Sequence, residues 1–295
     1  MTSLFVFRRD LRLHDNTGLI RALRGSTEVV PAFIFDPRQT GPHPYRSGKA
    51  LAFMIASLRE LDGELRARGS RLFLFEGPAE KVVARLLEAG AFGAVYANRD
   101  YTPFSRRRDE AIAGACREAG AAFVETGDAL LGEPGEVAKK DGSPYTVFTP
   151  FFKAARALGV RAPRENRSRN YHKGPVAGER GTDVFDRILK GGGGSLFRQG
   201  GRKEARRILG TIGRFRDYEE TRDRLALDGT TGLSPHVKFG TISIREFAEA
   251  VRKGLGPGHP LLRQLYWRDF FTHVAFHFER VFGRPFDPAY ERLSW

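Results

Sequence analysis

Gln264, Trp267 and Arg268 stand at i, i+3 and i+4 within RQLYWRDFFTHVAFHFERVF, residues 263 to 282. That spacing places an amide, an indole and a guanidinium on one face of a helix. The trio offers a stacking plate, a hydrogen-bonding group and a cation to a nucleobase and its phosphate. A core tryptophan with two polar surface neighbours is the plainer alternative. Leu265, Phe270 or Phe271, Val274, Phe278 and Val281 or Phe282 recur every three or four residues and predict the buried side of the same helix. Asp269, His273 and His277 form another row at i, i+4 and i+8. With no H-E-x-x-H motif and no cysteine ligands nearby, it reads as a solvated stripe.

Two further stretches carry candidate chemistry. In DGTTGLSPHVKFGTISIRE, Thr230, Thr231, Gly232 and Ser234 form a hydroxyl-rich turn before Pro235, a residue suited to the first helical position. Hydroxyls and free N–H groups there make an anion seat fit for a pyrophosphate, unless Ser234 is an ordinary N-cap. FRRDLRLHDN places three arginines after the first strand, with Asp15 or Asn16 positioned to cap the next helix. The arginines could hold a phosphate, although internal salt bridges explain them as well. There is no G-x-G-x-x-G after this strand, no G-x-x-x-x-G-K-[ST] and no G-x-S-x-G, so the common nucleotide fingerprints and hydrolase chemistry have no support.

The elements that must position these residues fall into three regions. Over residues 1–126 the apolar runs LFVF, VVPAFIF, RLFLF, AVYAN and AAFVE alternate with helical patterns near 17–24, 47–68, 78–89 and 105–119. This predicts a doubly wound, five-stranded parallel sheet of the α/β class, with ligands expected at the loops after Phe7, Phe35, Phe75 and Asn98. Residues 127–195 read as a connector packing on both halves through Tyr145, Phe148, Phe151 and Phe152, and ending in a flexible GGGGS at 191–195. Residues 196–295 are helical throughout.

The net charge of +14 is spread over the three regions as +4, +4 and +6, so it is no basic tail; it favours a polyanionic partner, nucleic acid first, or a general solubility adaptation. A single cysteine, Cys116, excludes an intrachain disulfide and any cysteine-built metal site. With no secretory pattern and no apolar run near membrane-spanning length, a cytoplasmic protein that meets the nucleoid is expected.

Four segments in order, FVFRRDLRLHDN, PYTVFTPFFKA, TTGLSPHVKFGTIS and RQLYWRDFFTHVAFHF, together resemble the photolyase and cryptochrome family, most closely its microbial repair enzymes for cyclobutane pyrimidine dimers. The resemblance implies an antenna domain over 1–126, a connector over 127–195 and the first part of an all-α FAD-binding domain over 196–295. It matches Tyr218, which lies twelve residues before Thr230, together with Thr230, Thr231, Gly232, Leu233, Ser234 and Arg268, to flavin contacts. It also matches Arg222, Gln264, Trp267 and Arg268 to a DNA face on which Trp267 packs against a flipped-out dimer and Gln264 bonds its base edges. Asp100 matches a deazaflavin contact. Phe104 and Ser105 replace the Asn-Glu pair of folate-binding members, so a deazaflavin antenna is preferred over folate.

The implied activity is light-driven: a reduced, excited flavin donates an electron to the dimer, and the electron returns after the ring splits. The family's helical domain continues beyond YERLSW, which implies an enzyme that is either truncated or split, the split form being completed by a second polypeptide. A cryptochrome-like photosensor and a non-catalytic module that binds pigment or nucleic acid share the same motifs.

Overall fold

The computed structural model describes every residue except 91, 191–195, 197, 294 and 295; the GGGGS stretch therefore lies outside the described residues. Five parallel strands, β1 (Thr2–Phe7), β2 (Glu28–Phe35), β3 (Phe73–Glu76), β4 (Phe92–Asn98) and β5 (Ala122–Thr126), pair in the order β3-β2-β1-β4-β5. The helices of this half are α1 (Thr17–Gly25), the single turn α2 (Pro37–Thr40), α3 (Gly48–Arg66), α4 (Ala79–Ala89) and α5 (Pro103–Glu118). The doubly wound expectation holds because every interior strand is apolar on both faces. Phe5 and Phe7 join α1 and α3 in one core, whereas Leu4 and Val6 join α4 and α5 in another.

The connector contributes α6 (Phe148–Ala157) and α7 (Asp183–Leu189). The helical half contains α8 (Arg202–Gly210), α9 (Tyr218–Thr221), α10 (Ser234–Phe239), α11 (Ile244–Gly254) and α12 (Pro260–His277), followed by short 3₁₀ turns. Its core gathers Phe215, Leu233, Phe247, Leu265 and Phe270 with connector residues Phe148 and Phe151.

Here one expectation needs correcting. Tyr145, Phe148, Phe151 and Phe152 do not bridge the halves; all four pack in the helical core. The sheet half is covered by later connector residues, Tyr171, Val184 and Phe185. The aromatic quartet was visible in the sequence, but the side it faces is a tertiary property.

A second correction concerns α12. It ends at His277, where Phe278 leaves helical geometry (φ −126°, ψ 73°). Phe270 is the buried ring of its pair and Phe271 is 63% exposed. The buried side includes Asp269 and His273, each 1% exposed, so these two are not a solvated stripe. Each is there to hold connector backbone: Leu131 N–H donates to Asp269 (2.7 Å) and Tyr145 N–H donates to His273 Nε2 (3.1 Å). His277 alone of the row is exposed, its ring 4.5 Å from that of His273.

The two halves are locked by buried charge. Arg12, from the loop after β1, donates to Asp128 (2.5 Å), to the Asp15 carbonyl (2.8 Å) and to the Gly240 carbonyl (3.0 Å). Arg245, in α11, donates to Asp15 Oδ2 (2.8 Å) and Asp128 Oδ1 (2.7 Å). Internal salt bridges are therefore what Arg12 is for, and Arg8 likewise pairs with Asp109 at 2.8 Å. Asn16 is the N-cap of α1, accepting from Leu19 N–H, which frees Asp15 for this network at the cost of a left-handed backbone (φ 46°). Gly240 has φ 65°, and a Cβ there would sit 2.2 Å from the Arg9 carbonyl, so only glycine lets α10 close on the β1 loop.

Burial opposes ionisation of Asp128, but Arg12 and Arg245 outweigh it and hold the carboxyl far below its ordinary range. An Asp128→Asn variant leaves two buried guanidiniums short of a counter-charge. We expect it to lose about 3–5 kcal/mol of unfolding free energy, read as a lower midpoint in urea denaturation at neutral pH.

Candidate functional site

The order β3-β2-β1-β4-β5 puts the topological switch point between β1 and β4, since the chain leaves β1 toward one edge and β4 toward the other. Loops diverge there and open a crevice at the carboxyl ends of the strands. Of the four loops proposed from sequence, those after Phe7 and Asn98 form it; the loops after Phe35 and Phe75 do not line it. The crevice is a cleft of about 420 Å³, closed on its far side by α10 and α12.

Charge on both sides defines the cleft. Arg8, Arg9 and Asp100 come from the strand ends; Lys238 and Arg268 come from the helical half. Arg9 donates to the Lys238 carbonyl (3.0 Å) and approaches Asp100 at 3.5 Å. Burial works against the Asp100 carboxylate, but Arg9 and Arg108 overcome it and keep its pKa below the usual value. Burial lowers Arg268, partly offset by neighbouring Asp269; its guanidinium donates to the Ala129 carbonyl at 2.7 Å. Tyr101, on the cleft wall, donates to Glu133 at 2.7 Å, and burial followed by the Glu133 charge pushes its phenol up.

On α12, Arg268, Phe271, Thr272 and Ala275 line the cleft at i, i+3, i+4 and i+7. Phe271, Thr272, Ala275 and Lys238 were missed by sequence reasoning, although the helical period that paired Gln264 with Arg268 extends along the same face to Thr272. Gln264 and Trp267 do not line the cleft. Trp267 instead packs on the helical core, its ring 3.6 Å from Phe148 at an interplanar angle of 6° and 5.6 Å from Phe271 at 26°. Gln264 is half-buried beside it.

Tyr218 opens α9 and packs on the same core, 6.4 Å from the ring of His259, which caps α12 by accepting from Leu261 N–H. The Arg222 guanidinium lies 6.0 Å from the Tyr218 ring, on the exposed side. In the turn, Thr230 and Ser234 are exposed, Leu233 is buried in the core, and Thr231 Oγ1 accepts from Leu233 N–H at 3.2 Å. Ser234 is thus not the N-cap: it is the first residue of α10, whose capping position, Leu233, has no side-chain bond. Gly232 has φ 63°, and a Cβ there would stand 2.4 Å from Arg198 Nε. A guanidinium pressed against a turn with two open hydroxyls is a donor set that suits a pyrophosphate. Phe104 and Ser105 serve α5 itself: Arg38 lies 5.2 Å over the Phe104 ring, and Ser105 N–H donates to the capping Thr102.

The geometry is that of a charged crevice at a switch point, backed by a helical domain. Residues 3–167 match the family model described as DNA photolyase. The chain is 35% identical to a deoxyribodipyrimidine photo-lyase of Thermus thermophilus over 100% of its own length and 66% of the relative's. It is 29% identical to one of Synechococcus sp. over 99% of its length and 64% of the relative's. An archaeal photolyase from Sulfolobus tokodaii, solved with two FAD molecules, superposes with a TM-score of 0.86 at 41% identity, over 100% of this chain and 64% of that one. The chain belongs to the DNA photolyase family, and it spans less than two thirds of the length of these relatives.

Burial raises Asp269 to about 7, against the pull of Arg268 and of the Leu131 and Gly132 N–H groups. A carboxyl whose folded pKa is raised gives its full contribution to stability below the unfolded value and loses it as pH climbs through the folded one. The stability of the wild type relative to an Asp269→Asn variant should therefore fall between about pH 4 and pH 7, by on the order of a few kcal/mol. Paired urea titrations at pH 5 and pH 8 measure it; a pH-independent difference would show that Asp269 is ionised throughout.

Proposed function

We propose that this chain takes part in light-dependent repair of cyclobutane pyrimidine dimers in DNA, as a deoxyribodipyrimidine photo-lyase. The observation that supports the reading is the switch-point cleft with α12 as its wall: a cavity of small-molecule size adjoins the helix that carries Trp267. The names of the relatives support the substrate, and the two-flavin archaeal structure supports FAD.

In this reading Tyr218, Thr230, Thr231, Gly232, Leu233 and Ser234 hold FAD, beside an Arg198 that also pairs with Asp228 at 3.6 Å. Bound and reduced, the flavin supplies the photoexcited electron that opens the dimer. Arg222, Gln264 and Trp267 face the DNA, while Arg268, matched to the same face from sequence, turns into the cleft: Arg222 meets a phosphate, Gln264 bonds a base edge, and Trp267 limits the pocket for the everted bases. The cleft takes a light-gathering ring. Asp100, kept ionised, would be the acceptor for a ring N–H of a deazaflavin- or flavin-type pigment, and Arg268 closes the site from α12.

The test uses the purified chain reconstituted with reduced FAD and an oligonucleotide bearing a thymine dimer. Blue light should restore the intact bases, and the dark control should not. A Trp267→Ala variant should lose several-fold of its preference for damaged over undamaged DNA, because the fixed wall of the pocket for the everted bases is removed. Flavin retention without any preference for the lesion, in light or dark, rejects the repair reading.

A further inference from the structure

We infer that α8 carries a separate nucleic-acid contact, a cationic cleft that grips the phosphodiester backbone and reads no base. The inference rests on the reading that the chain engages DNA, and it adds a surface to the one assigned to α12.

A concavity of about 480 Å³ lies between α3 and α8, lined by Glu64, Arg202, Lys203, Arg206 and Arg207. The four cations occupy i, i+1, i+4 and i+5 of α8 and so share one side of the helix. They differ in how firmly they are held. Arg202 is buried, with its guanidinium fixed by two bonds to Glu246 (3.0 and 2.6 Å) and one to the Thr241 carbonyl (3.2 Å). Its charge is largely spent, and it serves as a rigid floor. Arg207 shares its charge with Glu204 at 2.7 Å. The side chains of Lys203 and Arg206 are exposed and have no acidic partner within salt-bridge distance among the described residues. They are the two cations available to a ligand.

The lining also fixes the ligand class. Every lining residue is charged; there is no aromatic ring to stack a base and no apolar side chain to seat a sugar. A nucleotide bound as a small molecule needs such contacts, whereas a backbone phosphate needs only cations. Glu64 is the sole acid. Burial disfavours its charged form, although Arg202 offsets part of that, so it opposes an incoming anion less than an exposed carboxylate does. The packing separates this surface from the lesion-facing residues: α8 sits on α3 and α11, whereas Gln264 and Trp267 belong to α12, which packs on α6, α9 and α11.

The experiment measures binding of the whole chain to undamaged duplex DNA over a series of salt concentrations. A Lys203→Gln/Arg206→Gln double variant should bind several-fold more weakly, and its slope of log affinity against log salt should be shallower by up to about 1.8, at roughly 0.9 for each phosphate no longer neutralised. Glu64→Gln should tighten binding. Lys203 and Arg206 are both at the surface, so an unchanged thermal melt shows that folding is intact. A double variant with wild-type affinity and slope overturns the inference. So does competition by tripolyphosphate that disappears in the double variant while its DNA binding is unaltered, because that result assigns the cleft to a free polyphosphate. A wild-type chain that binds no DNA at any salt instead removes the reading on which the inference rests.

Discussion

The molecule depends on two buried arginines that share one carboxylate. Arg12 comes from the strand-end loop and Arg245 from the helical half, and both end on Asp128, the second residue of the region between them. Asp15 completes the arrangement, accepting from Arg245 and from Arg161 of the connector. Such a network contributes little net stability compared with apolar packing, because desolvation offsets most of the attraction. Its effect is geometric. Charges in a low-dielectric interior tolerate only the pairing that satisfies all of them, so the helical half can dock on the sheet in one way. The Leu11 N–H to Phe239 carbonyl bond (3.0 Å) and the close approach at Gly240 are the backbone consequences of that docking.

Once the docking is fixed, the cleft follows. A doubly wound sheet alone leaves its switch-point crevice open to water. Here α12 is brought over it, and Arg268, Phe271 and Thr272 become its far wall. The same helix is tied to the connector by Asp269 and His273, whose neighbours on the chain face the cleft or the core. Cofactor chemistry and DNA contact would thus be read from successive turns along one side of the same helix.

How much of this was legible in the sequence depends on the range of the signal. Strands and helices of the α/β half were readable to within a few residues because apolar runs and the 3.6-residue period are local. The internal role of Arg12 was readable as an alternative, since arginines beside Asp15 and Asn16 in a short loop have few ways to be satisfied. Asp269 and His273 were not. A polar residue every fourth position looks the same whether it faces water or a backbone N–H from a segment more than a hundred residues earlier. The end of α12 at His277 escaped for a similar reason: no glycine or proline marks it, and the apolar pattern continues through Phe278 and Phe282 into the 3₁₀ turn. In the phosphate turn the hydroxyls were visible but not which of them are open, and the structure leaves Thr230 and Ser234 free while Thr231 turns inward.

Trp267 shows how packing narrows a residue's options. Phe152, Phe148, Trp267 and Phe271 form a stacked column, with successive centroids 5.6, 3.6 and 5.6 Å apart and interplanar angles of 18°, 6° and 26°. Interleaving rings from α6 and α12 fixes the indole on its Phe148 face, and offset stacking of this kind adds to the area it buries. An indole so held cannot swing to meet a base; it can only form a wall of fixed position. The ring of the column that remains largely open is Phe271, which is 63% exposed and also borders the cleft. Any planar ligand seated there would rest against Phe271, one ring away from Trp267, so the column links the cleft directly to the indole.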